Sequence, residues 1–325
     1  MATITLTEGR GTAALRRGLR GSRRSRLVIL SFIAPALLGI TIFLGYPLVA
    51  AVYFSFTRFT LINPPEWVGL DNWRYLFKDP MVAIAARNTL WLTVVMVPAR
   101  IAGAMVTAML LNAMRRSRSA YRTLFYLPAL APPVTATIAF VLLLKPQTGP
   151  VDSLLRWLGI DGPRWFNDPA WAKPALVLLS LWAIGDLMII FVAALLDVPL
   201  DLYEAASLDG ASAWQKFRYV TLPTIQPVLI FATITGIIGC AQYFTQAAVA
   251  ASVASNQVTG GGGVSGTFTY PQNSMLTYPM WLYTEGFRYN LFGYANVLAL
   301  LLFVVSMSVT IVLLRRFRSF TGGKP

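Results

Sequence analysis

Apolar residues in this chain run in long unbroken stretches, and polar residues crowd into the gaps between them. A helix needs roughly 20 apolar residues to cross hydrocarbon. Six stretches meet that length, at 27–50, 86–113, 122–144, 174–197, 225–250 and 291–314. They are continuous, whereas the strands of a membrane barrel alternate apolar and polar positions in segments of about ten residues. The pattern therefore predicts an all-α, polytopic membrane protein with about six transmembrane helices. The first run, from Leu27 to about Phe56, is too long for a signal-peptide core and shows no clear cleavage signature, so it is read as a retained span.

Composition agrees with that reading. The 325 residues are 56% hydrophobic and 12% charged, against about 25% charged in soluble domains. A net charge of +14 would raise nucleic-acid binding in a soluble protein. Here the basic residues gather at the ends of apolar runs, where orientation signals belong, and no nucleic acid is expected. With six spans both ends share one side. That side receives Arg10, Arg16, Arg17, Arg20, Arg23, Arg24 and Arg26, the 114–122 loop with Arg115, Arg116, Arg118 and Arg122, Lys216 and Arg218, and the tail with Arg315, Arg316, Arg318 and Lys324. The opposite side receives fewer, so the bias places both termini and the 198–224 loop in the cytoplasm. The expected organisation is a basic segment 1–26, a transmembrane domain 27–315 and a basic tail 316–325.

The chain has no histidine and a single cysteine, Cys240, inside an apolar stretch. Histidine triads, histidine metal sites and cysteine-rich clusters are thereby excluded. Gly260-Gly261-Gly262-Gly263 is not followed by the Lys-Ser/Thr of a phosphate loop, and the glycines of the tail lead into Lys324 and Pro325. No catalytic residue, metal site or nucleotide site is expected in this chain.

The polar island at 198–224 carries the strongest motif. Asp201 stands three residues before Glu204, the spacing of a capping box, and predicts a short helix through Leu208 that stops at Asp209-Gly210. Ser212 and Gln215 repeat the spacing and open a second short helix, which Pro223 is expected to end. Helices this short need a packing partner to persist.

Glu204-Ala205-Ala206, then Gly210, then Val220, Leu222 and Pro223, resembles the EAA motif of permease subunits of binding-protein-dependent ABC importers. Val220 stands where the family usually has isoleucine. Val68-Gly69-Leu70-Asp71-Asn72-Trp73, Tyr126-Leu127-Pro128-Ala129-Leu130 and Phe292-Gly293-Tyr294-Ala295-Asn296 resemble segments of the carbohydrate, maltose-type branch. The resemblance implies the type I importer permease fold in a bacterial inner membrane. It also implies a second homologous permease as heterodimer partner, two ATPase subunits that carry the ATP and magnesium, and an extracytoplasmic solute-binding protein. In the family this loop docks on the ATPase, which assigns coupling to Glu204, Ala205, Ala206, Gly210, Leu222 and Pro223.

Polar residues within spans are costly and are functional candidates by default. Asp186 is the conspicuous one, with Trp182 one turn earlier; a ring beside a carboxylate suits a sugar. Gln242 and Gln246 are likewise one turn apart, with Tyr243 between them, and Asn296 and Asn88 are further candidates. Each has a structural alternative: Asp186 pairs with Arg100, the glutamines bond neighbouring helices, and Trp182 faces lipid or a neighbouring helix. A self-powered carrier coupled to protons or sodium is the rival to the importer reading, and a membrane-embedded enzyme is a weaker one.

Overall fold

The computed structural model describes residues 23–114, 117–255 and 268–320. The basic segment to residue 22, Arg115 and Arg116, the Gly260–Gly263 run and the tail beyond 320 lie outside the described residues.

The chain divides into two compact units, 1–54 and 55–325. The first holds α1 (Arg23–Ile40), a π turn (Thr41–Gly45) and most of α2 (Tyr46–Ser55). From Val28 to Ser55 this helical run is apolar and long enough to cross a membrane.

The second unit opens with two strands of two residues each, β1 (Thr57–Arg58) and β2 (Glu66–Trp67), paired antiparallel with Thr57 opposite Trp67. Among the described residues they are the only exception to the helical architecture. After α3 (Asp71–Leu76) comes α4 (Pro80–Ala113), 34 residues and about 51 Å long at 1.5 Å per residue. Asp79 starts it by accepting a hydrogen bond from the Met81 amide (2.9 Å), with Pro80 in the first turn where no amide is needed. Ala85, Thr89, Leu92, Met96, Ala104, Ala108 and Leu111 are buried at helical spacing, and α4 packs against the helices at 118–130, 169–182, 185–196, 226–241 and 278–283.

Single uninterrupted helices were expected at 122–144, 174–197 and 225–250, and each is broken. α5 (Arg118–Leu130) meets α6 (Pro133–Leu143) at 99°. The Pro132-Pro133 pair removes two consecutive amide donors, which accounts for that break. After α7 (Pro150–Trp157) and a turn of 3-10 helix (Trp165–Asn167), α8 (Pro169–Trp182) meets α9 (Gly185–Leu196) at 50°. The polar loop supplies α10 (Leu200–Leu208), α11 (Ala213–Lys216), a π turn (Phe217–Thr221) and α12 (Leu222–Thr224). It turns by 69° into α13 (Gln226–Ala241), which breaks again before α14 (Thr245–Ala254). α15 (Tyr278–Tyr283) and a π turn (Thr284–Arg288) precede the last span, α16 (Phe292–Phe320). Among the described residues three helices are long and apolar enough to cross singly, and counting each bent pair as one span raises the number to six.

Small residues let the broken helices approach closely. Ala247, Ala248, Ala250 and Ala251 of α14 are almost fully buried in the core shared with α4, α8 and α16. A second core joins Ala104 and Ala108 of α4 to Met188 and Phe191 of α9 and Ala232 of α13. On the face away from the 198–224 loop, Asn88 donates to the carbonyls of Asn273 (2.7 Å) and Leu276 (3.0 Å) and accepts from Lys173 (3.1 Å). Asn88 is therefore a structural tie between α4, α8 and the 268–277 turn.

A clasp closes the same face. Asn72 donates to the carbonyls of Ser55 (3.0 Å) and Thr57 (2.9 Å). The Gly293 amide donates to the Phe59 carbonyl (3.2 Å), and a Cβ at Gly293 would collide with the Thr57 carbonyl, so only glycine fits there. Below it, the second Asp79 oxygen accepts from Trp281 Nε1 (2.7 Å) and the Tyr294 hydroxyl (2.9 Å). Glu285, 3% exposed, lies within electrostatic reach of this group.

Burial, helped by the Asp79 carboxylate, pushes Glu285 up from 4.5 to about 7. The folded chain thus holds this proton more tightly than the unfolded chain. The resulting stability is fully present below 4.5 and is lost as pH rises through about 7. Thermal unfolding of the purified protein is expected at a lower temperature at about pH 8 than at about pH 5, and Glu285→Gln should flatten this slope. An unchanged slope in the variant would remove Glu285 as its source.

Candidate functional site

The three breaks converge. One cavity, about 190 Å³, is lined by Pro128, Ala131 and Pro133 at the α5/α6 break, by Ser180, Ala183 and Asp186 at the α8/α9 break, and by Tyr243 and Gln246 at the α13/α14 break. Arg100 of α4 completes it. Irregular backbone at membrane depth is tolerated only where protein covers it or a cavity hydrates it. Breaks that meet around one cavity satisfy that condition.

A second cavity of about 290 Å³ also has Arg100 and Asp186 in its wall, together with Val97, Phe231, Thr235 and Cys240. The two charged residues therefore border both spaces. Arg100 Nη2 donates to Asp186 Oδ1 at 3.4 Å, while 62% of the Asp186 side chain remains exposed. Arg100 Nε is buried without a hydrogen-bond partner, as is the Tyr243 hydroxyl. The two readings of Asp186 are thus compatible: it pairs with Arg100 and still presents a carboxylate to open space.

The close approach that builds this corner depends on Gly185. A Cβ there would stand 2.6 Å from the Phe125 carbonyl oxygen and 2.7 Å from the Tyr126 Cα. The α5 backbone thus lies directly on the first turn of α9, inside one of the segments that carried the family resemblance.

Several expectations change. Trp182 ends α8 and Asp186 opens α9, so they do not lie one turn apart on one helix. Trp182 packs on Phe140 (6.0 Å between ring centroids) and lines neither cavity. Gln242 caps the end of α13, and Gln246 lies in the first turn of α14, so the break separates them too. Of Gln242, Tyr243 and Gln246, the last two line the smaller cavity and Gln242 does not. Asn296 donates back to the Phe292 carbonyl within its own helix (2.7 Å). Thr137 and Ser180 also line the smaller cavity and were missed. Hydroxyls inside apolar runs give no sequence signal of their own.

The 198–224 loop is a helix–turn–helix, as expected, with different local causes. No side chain caps α10, whose N-cap is Pro199, so the Asp201–Glu204 capping box is absent. The Ser212–Gln215 box is present in both directions, at 2.7 and 3.3 Å. Gly210 takes φ +73 in the left-handed region between the two helices. Pro223 does not end the second helix. It sits inside the helical run, just after the π turn, and the bend falls at Ile225. The Tyr203 hydroxyl meets Thr221 Oγ1 (2.7 Å) and Lys216 Nζ donates to Ser207 Oγ (2.8 Å), which lock the two arms together.

Glu204, Ala205 and Gly210 are exposed on this loop, Ala206 and Leu222 partly so. Leu208 is 90% exposed, Tyr219 73% and Trp214 69%. So much apolar surface on a water-facing loop marks a contact surface.

Six helical segments, a cavity at their breaks and an exposed polar elbow define a multi-pass membrane transport subunit. The chain belongs to the family described as binding-protein-dependent transport system inner membrane component, whose model matches residues 99–319. It is 31% identical over 312 residues to the probable ABC transporter permease protein YesP of Bacillus subtilis, covering 94% of this chain and 95% of that protein. It is 32% identical to the lactose transport system permease protein LacF of Rhizobium radiobacter, covering 88% and 91%. A crystal structure of a bacterial ABC transporter involved in import of the acidic polysaccharide alginate contains a chain that superposes with TM-score 0.77 at 21% identity, covering 95% of this chain and 99% of that one. The fold is that of an ABC importer permease.

An unpaired buried hydroxyl costs about 1–3 kcal/mol. Tyr243→Phe should therefore leave the unfolding temperature unchanged or raise it. A clear drop would mean that the hydroxyl has a partner in the fold.

Proposed function

We propose that the chain is the solute-conducting permease subunit of an ATP-driven importer, and that the solute is a carbohydrate. The exposed elbow around Gly210 carries this reading most strongly. It is rigid internally, open to solvent, and continuous through the π turn with α13, which borders the larger cavity beside Asp186. A partner that grips Glu204, Ala205 and Ala206 and moves the elbow would move that wall. ATP and magnesium belong to two such partner ATPase subunits, and this chain performs no hydrolysis.

The similarity to a lactose permease favours a sugar, and so does the chemistry of the smaller cavity. Asp186 and Gln246 accept hydroxyl protons, while Arg100 donates to ring or hydroxyl oxygens. A second permease would close the open side of this half-site, and a binding protein would deliver the solute from outside. The basic residues put the elbow and both termini in the cytoplasm. Family membership favours this reading over a self-powered carrier.

Two measurements test it. Gly210→Val forces a β-branched residue into the left-handed region, at a cost of about 1–2 kcal/mol. The variant should assemble in the membrane yet lose co-purification with its ATPase and lose uptake; retained assembly and uptake would refute the coupling role. Asp186→Asn keeps the shape and removes the charge. It should lower uptake by about tenfold or more while the complex still forms. Failure to assemble would instead make the Arg100 pair structural.

A further inference from the structure

At the far ends of α6 and α14 lies a third cavity, about 600 Å³, separate from the two beside Asp186. Its apolar floor includes Val141, Leu144 and Phe166. Its polar wall brings together Lys145, Arg164, Asn167 and Tyr270.

The charges on this wall are not balanced. Among the described residues no carboxylate lines the cavity. Two acids close to it in the chain are engaged elsewhere: Asp152 pairs with Arg156 (3.3 Å) and accepts from the Gln147 amide (2.8 Å), and Asp168 accepts from the Ala170 amide (2.8 Å). Lys145 and Arg164 have no ion-pair partner among the described residues. The hydrogen-bonding groups are pre-set as well. Asn167 Nδ2 donates to the Ala254 carbonyl (3.1 Å) and to the Tyr270 hydroxyl (2.8 Å). This fixes Asn167 Oδ1 as an acceptor and leaves the Tyr270 proton available to donate. Two unneutralised cations, one hydroxyl donor and one amide acceptor over an apolar floor suit a compact anion attached to a polyhydroxy body.

We propose that this cavity is a second solute subsite, outside the path bordered by Asp186, that takes the carboxylate, phosphate or sulfonate of an acidic small solute. The polar wall comes from the connecting segments around 145, 164–167 and 270 rather than from the sides of spans, which favours a dissolved solute over a lipid headgroup. The proposal takes from the importer reading only that a solute is present. Its test reads binding to the permease, so failure here leaves the coupling experiment untouched.

The chain in nanodiscs of zwitterionic phosphatidylcholine is titrated with trigalacturonate and with uncharged maltotriose at low salt. Trigalacturonate should bind about tenfold or more tightly than maltotriose, and added salt should weaken it. Lys145→Gln combined with Arg164→Gln should abolish that preference and leave maltotriose unaffected. Both side chains are exposed, so the unfolding temperature of the double variant should not change. Equal affinity for the two sugars, or an acidic preference that survives in the double variant, overturns the proposal. So does native mass spectrometry showing phosphatidylglycerol held by the parent chain and lost from the double variant.

Discussion

A broken helix in hydrocarbon exposes backbone groups that no lipid can satisfy. This constraint organises the second unit of the chain. The interruptions at 131–132, 183–184 and 242–244 are each expensive alone, and they are collected around one cavity, against the long uninterrupted α4. Arg100 and Asp186 stand where those interruptions meet. An ion pair with a largely exposed carboxylate contributes little to stability. Its position is distinctive, because the same carboxylate stands in the wall of two cavities.

The elbow and the cavity wall are joined by a short helical path. Tyr203, Thr221, Lys216 and Ser207 lock the two arms of the elbow, and the π turn passes without interruption into α12 and the bend at Ile225. Ile225 is buried in the core shared by α4, α9 and α13. The exposed residues of the elbow thus stand only a few residues along the chain from packed side chains. Gly210 is the place where the backbone conformation itself is required, and the apolar residues around it remain uncovered in the isolated chain.

The positions of the spans were legible because continuous apolar runs are a composition signal, and composition survives without any knowledge of packing. The breaks were less legible. Pro132-Pro133 announces one of them, but Ala183-Ile184 and Gln242-Tyr243-Phe244 contain no proline or glycine. The first of them lies where Gly185 is seated on the Phe125 carbonyl, a contact between segments sixty residues apart that local sequence does not announce. Reading each stretch as one straight helix put Trp182 beside Asp186 and Gln242 beside Gln246, and both pairs fall apart at a break. In the elbow, Ser212 and Gln215 form the box their spacing implies, while Asp201 and Glu204 at the same spacing do not, because Pro199 already occupies the N-cap. Spacing identifies what is sterically allowed, and neighbouring backbone decides what forms.

The clasp at Thr57 joins chain segments more than two hundred residues apart: Asn72 donates to its carbonyl from one side, and Gly293 is seated against it from the other. During synthesis, the residues around Thr57 leave the ribosome long before Gly293 exists. The early half must wait in the bilayer with this corner unfinished, and insertion of α16 is the event that completes it. A nascent chain that stalls before the last span therefore lacks the glycine that seals its first loop.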